Sequence, residues 1–164
     1  MTVRRLRADE ATLLKELRLR ALAEAPTAFA HTHAEISARP DEYWEDMARN
    51  LTEPGRNVMF VAEDEGRAIG MAFGLVPRER PDVPHLGGMW VDPDARGRDV
   101  GRALTTAVLD WAGERGFQRI GLWVTESNAP AVALYERMGF AATARRDRHP
   151  VHFHLAILEM ERAL

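Results

Sequence analysis

Arg96, Gly97, Arg98, Gly101 and Arg102 stand where an apolar run, His85 to Val91, gives way to a helical pattern. That arrangement suits an anion. The first N–H groups of a helix have no partner within it, and the helix dipole adds positive potential at the same end. Gly97 and Gly101 let backbone approach a ligand, and the arginines add charge-assisted donors. These residue types favour phosphate binding, yet neither the Gly-Lys-Ser/Thr of a P-loop nor the spacing of a dinucleotide fingerprint is present. Taken alone, the turn reads equally well as an ordinary helix start with solvated arginines. Asp99 then serves as a first-turn acid that favours the helix N-terminus and pairs with Arg98 or Arg102.

Other groups that could do chemistry are scattered. Tyr135 lies on an apolar stripe with Leu134 and Met138, where a buried tyrosine commonly keeps its hydroxyl at the rim. HTH at 31–33 and HPVHFH at 149–154 invite a metal reading, with His152 and His154 on one face of a strand. No acid or cysteine spacing completes such a site, so no metal is expected. The absence of cysteine excludes disulfides, thiolate ligands and a cysteine nucleophile.

The elements that must hold these groups are legible as periodic segments. Val3 to Arg7 alternates as a short strand, and Asp9 is placed to cap a helix striped by Leu13, Leu14, Leu17, Ala21 and Leu22. Pro26 ends that helix. Residues 28–52 read as one or two short helices broken at Pro40. Asn57 to Glu63 and Ala68 to Val76 are strands around the turn DEGR, and His85 to Val91 is another. Val100, Ala103, Leu104, Ala107, Val108 and Trp111 follow helical spacing until Gly116. Ile120 to Val124 is a strand, and Asn128 caps a short helix ended by Gly139. Phe140 to Arg146 and Val151 to Met160 form a final strand pair. The order β-α-α-β-β-β-α-β-α-β-β is that of a mixed α/β layer protein.

With 164 residues, 46% hydrophobic and 29% charged, the chain is expected to form one domain, 1–164, with a sizeable core. A net charge of −3 gives no whole-chain argument for nucleic acid or a membrane surface, so any anion site is local. No apolar run approaches a membrane span, and the charged N-terminus is not followed by the apolar stretch of a signal peptide. A cytoplasmic protein is the expectation.

The turn 96–101 resembles the acyl-CoA pyrophosphate loop of the GNAT superfamily of N-acyltransferases, Gln/Arg-x-x-Gly-x-Gly/Ala. It aligns as Arg96, Gly97, Arg98, Asp99, Val100 and Gly101. A second GNAT signature looks present in LWVTESNAPAVALYERMGF, with Asn128, Tyr135, Gly139 and Phe140. The closing HLAILEMERAL is similar to the family's last strand. Asp99 departs from the pattern, standing where the family usually has glycine.

The resemblance implies a mostly antiparallel central sheet with helices on both faces and a splayed parallel strand pair. It implies acetyl-CoA as co-substrate and a primary amine of a small molecule or peptide as acceptor, while a homodimer stays open. Met89, Trp90 and Val91 would bond the pantetheine arm, residues 96 to 102 the pyrophosphate, and Asn128 the arm or the second parallel strand. Tyr135 would be the general acid beside the thioester sulfur. Several relatives carry a Glu on the strand before the loop, but HLGGMWV has no acid, so Glu126 is a candidate base, with Glu35, His31 and His33 as others. Arg145, Arg146 and Arg148 either favour an acceptor with a carboxylate or protect an edge strand. The other readings are a non-catalytic acyl-CoA-binding module and a fold-only interaction protein.

Overall fold

The computed structural model describes residues 1–164. Strands β1 (Thr2–Arg5), β2 (Val58–Asp64), β3 (Arg67–Leu75), β4 (His85–Val91), β5 (Arg119–Thr125), β6 (Ala141–Arg148) and β7 (Ala156–Ala163) form one sheet, ordered β1-β2-β3-β4-β5-β7-β6. Every neighbouring pair is antiparallel except β4 with β5. The helices are α1 (Ala11–Glu24), α2 (His33–Ser37), α3 (Asp41–Thr52), α4 (Val100–Glu114) and α5 (Ala129–Arg137).

The run VMFVA of β2 shows why helices cover both faces. Val58, Phe60 and Ala62 join one core with Leu104, Val108 and Trp111 of α4. Met59 and Val61, pointing the other way, join a second core with Leu14, Leu17 and Leu22 of α1 and Trp44 of α3. A strand buried on both faces reads as continuous apolar sequence because successive side chains alternate between two dry layers. The expected mixed sheet, with helices on both sides and one parallel pair, is what the chain forms. No helix is long and apolar enough to cross a membrane.

Two local expectations change. Asp9 does not cap α1: the cap residue is Glu10, whose carboxylate accepts from the Arg7 N–H at 2.8 Å and from Arg4 at 2.8 Å. His152 and His154 do not share a strand face, because β7 begins only at Ala156. The His149 Nδ1 accepts from the Val151 and His152 N–H groups at 3.1 and 3.0 Å, which folds residues 149–155 into a turn. No group of three or more metal-ligating side chains forms. β6 is an edge strand lined with exposed charge, which discourages pairing with another chain.

Candidate active site

The parallel strands β4 and β5 stay in register only at His85–Gly121 and Leu86–Leu122, and then part. A bulge in β4 lies in the stretch where they separate. Its register against β3 moves from Phe73–Gly87 to Met71–Trp90, which inserts an extra residue into β4. Gly88 carries it at φ 58°, and a Cβ there would stand 2.5 Å from the Phe73 ring. Only glycine satisfies both conditions. The splay encloses about 80 Å³ between Leu86–Met89 and Trp123–Thr125, with Asn128, Ala131 and Tyr135 also lining it.

On one side the splay opens, through Met89, Asn128 and Ala131, into a cleft of about 480 Å³. Met89, Trp90, Val91, Arg96, Gly97, Asp99, Val100, Gly101, Arg102 and Asn128 all line this cleft. The backbone N–H groups of residues 97 to 102 meet no acceptor in the chain, and the first helical bond runs from the Ala103 N–H to the Asp99 carbonyl at 2.9 Å. Such a row of free N–H groups is an anion nest at a helix N-terminus. The turn is anchored by Asp92, 5% exposed, which accepts from the Asp94 N–H at 3.0 Å, from Arg67 at 2.8 Å and from Arg20. Burial would raise the Asp92 pKa, but that N–H and the Arg67 and Arg20 charges hold it below the usual carboxylate range.

The turn's own charges divide. Arg98, expected beside the pyrophosphate, points away to pair with Asp64 and does not line the cleft. Arg96 donates to Glu24 at 2.6 Å and to the Val91 carbonyl at 3.2 Å, while Glu24 also accepts from Trp90 Nε1 at 3.1 Å. Asp99 is not a first-turn acid. It is the residue before the helix, held left-handed at φ 60° and ψ 11°, and its side chain caps no N–H. Left-handed backbone is where glycine is least strained and Asp or Asn are the tolerated substitutes. The Asp99 carboxylate accepts from Arg102 Nε at 3.3 Å, and that bond lowers its pKa.

Asn128 caps α5 by accepting from the Ala131 N–H at 3.3 Å, and it lines both the cleft and the splay. Tyr135, 5% exposed, packs edge-on to Phe140 at 5.8 Å between ring centroids. Its hydroxyl has no partner in the chain, and burial pushes its pKa up, so it keeps its proton.

On the other side, past Gly88, Trp123 and Thr125, lies a cavity of about 500 Å³ between the sheet, α1 and α3. Its walls are largely apolar and aromatic, and they include His31, His149 and Arg18 but no carboxylate. Of the candidate bases only His31 lines it. Glu126 pairs with Arg146 at 2.9 Å outside all three spaces, Glu35 is spent in a capping box with Thr32, and His33 lies apart. His149, 2% exposed, is lowered in pKa by burial and by His152 and His154, and its Nδ1 is taken by two N–H groups. Arg145 binds Glu159 at 2.8 Å, so neither it nor Arg146 is free for a ligand.

Reading the sequence missed three charged residues here. Arg137 lines the cleft at the end of the row Asn128, Ala131, Leu134, Arg137, a spacing of three visible in the sequence. Glu24 gave no local signal. Arg18 did: it falls inside the apolar stripe of α1.

A profile described as the Acetyltransferase (GNAT) family matches residues 18–140. The chain belongs to this family. A mycothiol acetyltransferase of Salinispora arenicola is 40% identical over 129 residues, covering 76% of this chain and 39% of that protein. The chain thus spans well under half the length of the relatives it matches in this group. A ribosomal-protein-alanine N-acetyltransferase from Brucella melitensis superposes with a TM-score of 0.83 at 21% identity, each chain covered at 100%. A Salmonella typhimurium acetyltransferase, solved with its cofactor acetyl-CoA, superposes at 0.79 with 20% identity, covering 100% of this chain and 94% of that one. The GNAT fold inferred from the two signatures is therefore the fold present.

Proposed function

We propose that residues 1–164 act as a single domain that transfers the acetyl group of acetyl-CoA to a primary amine of a small molecule or peptide. One observation carries the reading: the strand splay, lined by Tyr135, shares wall residues with the cleft at the anion nest on one side and with the apolar cavity on the other. The free N–H groups of residues 97 to 102 suit a pyrophosphate, and Arg137 adds unpaired charge at the rim beside the ion-paired Arg96 and Arg102. The parted backbone of Met89 to Val91 offers N–H and C=O groups to the pantetheine amides, and an N–H there polarises the thioester carbonyl.

The amine then attacks from the 500 Å³ cavity. Its lone pair forms the new C–N bond, the C–S bond breaks with its electrons on sulfur, and the Tyr135 proton goes to the thiolate. The amine's own proton leaves to water, and the tyrosinate regains one from water, which closes the cycle. Glu126, bound to Arg146, is not within the path, and no carboxylate lines cavity or splay. This makes the free-base amine the reactive species, with His31 the one wall residue of the candidate set able to relay a proton.

The lack of a carboxylate base also favours a second reading, a binding module that holds acyl-CoA without turnover. Two measurements separate the cases. Acetyl-CoA should raise the melting temperature while NAD and ATP do so far less, and a flat acetyl-CoA titration into the millimolar range would end both readings. Thiol release with a panel of amines marks the enzyme, whereas stabilisation without release marks the binding module.

A further inference from the structure

Arg18 is an arginine in the wrong place for a helix surface. It sits on the inner face of α1, 8% exposed, and lines the 500 Å³ cavity. It is the one buried arginine in the chain, and no carboxylate or carbonyl accepts from it. Its guanidinium carbon lies 5.1 Å from the Phe29 ring centroid and 5.5 Å from that of Phe73. Two aromatic faces attract a cation but leave the in-plane N–H donors without acceptors. Burial lowers the Arg18 pKa, partly offset by Tyr43. An unpaired buried charge is costly, and leucine or methionine would fill the same stripe without that cost.

Building on the acetyl-transfer reading above, we propose that the acceptor is a primary amine that also bears a carboxylate and an apolar body, and that Arg18 seats the carboxylate. A bidentate carboxylate meets the planar guanidinium edge and neutralises a single charge. A phosphate dianion would need further cations, and the only other titratable groups in the wall are His31, His149 and Tyr43, of which His149 is fixed as a neutral acceptor. The rest of the wall, including Met47, Leu51, Leu75, Trp123 and Ile157, suits an aromatic or branched side chain.

Spacing limits the ligand further. The Phe73 ring that stacks on Arg18 is the ring that Gly88 abuts, and Gly88 borders the splay where the acetyl group is delivered. Carboxylate seat and reaction point thus adjoin the same ring, which favours a short reach between them. An amino acid, with amine and carboxylate on one carbon, spans that; a long polyamine has no use for the cation.

The test uses the full chain saturated with CoA, titrated calorimetrically with phenylalanine, phenylalaninamide, phenethylamine and phenylpropionate, alongside thiol release from acetyl-CoA with the three amines. Phenylalanine and phenylpropionate should bind, and phenylalanine should exceed its amide and phenethylamine on the order of 10²-fold in kcat/KM. Arg18→Gln should abolish this preference, and Arg18→Lys should keep part of it, with melting curves confirming that both variants fold. Equal use of all three amines, binding of none of the four compounds, or an unchanged preference in Arg18→Gln would each overturn the proposal. Carboxylate-dependent binding without thiol release would keep the seat and contradict acetyl transfer instead.

Discussion

Asp99 meets Arg102 at 3.3 Å while its own backbone is left-handed at φ 60°, so one residue strains the turn before α4 and places a negative charge at its mouth. Charge and strain separate by substitution. Asp99→Asn removes the charge but keeps a residue that tolerates this backbone, whereas Asp99→Gly removes both. Both variants should bind acetyl-CoA several-fold more tightly, more visibly at low ionic strength, and the glycine variant should melt at an equal or higher temperature. Calorimetry at two salt concentrations checks this. Weaker binding in Asp99→Asn would mean that the carboxylate orients Arg102 for the ligand.

Tyr135→Phe should lower turnover by about 10²–10⁴-fold while acetyl-CoA affinity and stability stay near wild type, because the hydroxyl has no partner in the chain to lose. Burial raises its pKa, so its loss of proton should lie above the roughly 10 of a free tyrosine. Turnover should accordingly rise with pH until the acceptor amine is deprotonated, without an alkaline fall below that value. Full activity in the Phe variant would assign Tyr135 to packing.

Asp92→Asn should destabilise the protein by about 1–2 kcal/mol at neutral pH, discounted because its partner Arg67 is largely exposed. The Asp92 pKa is lowered on folding, so its contribution is present above the ordinary carboxylate range and lost as pH falls through the lowered value. The gap between wild type and variant in urea melts should therefore close below about pH 4. A gap that persists in acid would indicate lost packing rather than lost charge.

The periodic parts of the fold were legible because burial imposes period: α4, β5 and α5 fall where their apolar spacing puts them, and Asn128 caps α5 as its position suggested. What escaped depends on backbone geometry or distant partners. The adjacent glycines of HLGGMWV mark a bulge only once Phe73 is known to lie against Gly88. Asp99 reads as a first-turn acid in the sequence because charge pattern does not report a left-handed φ. The partners of Arg98 and Glu126, Asp64 and Arg146, come from other parts of the chain. Arg18 carries a signal in the sequence: residues 14, 17, 18, 21 and 22 share one helical face, and a charge in such a stripe asks for a ligand or a partner.

The most direct measurement follows the acetyl group itself. Acetyl-CoA labelled in the acetyl carbon is mixed with the protein and a panel of primary amines that includes apolar amino acids, and labelled amide and free CoA thiol are quantified together. Acetyl transfer predicts label appearing on an amine in step with thiol release, abolished by heat denaturation and strongly reduced in Tyr135→Phe. Thiol release without labelled amide, or acetyl-CoA binding with neither product across the panel, would contradict it.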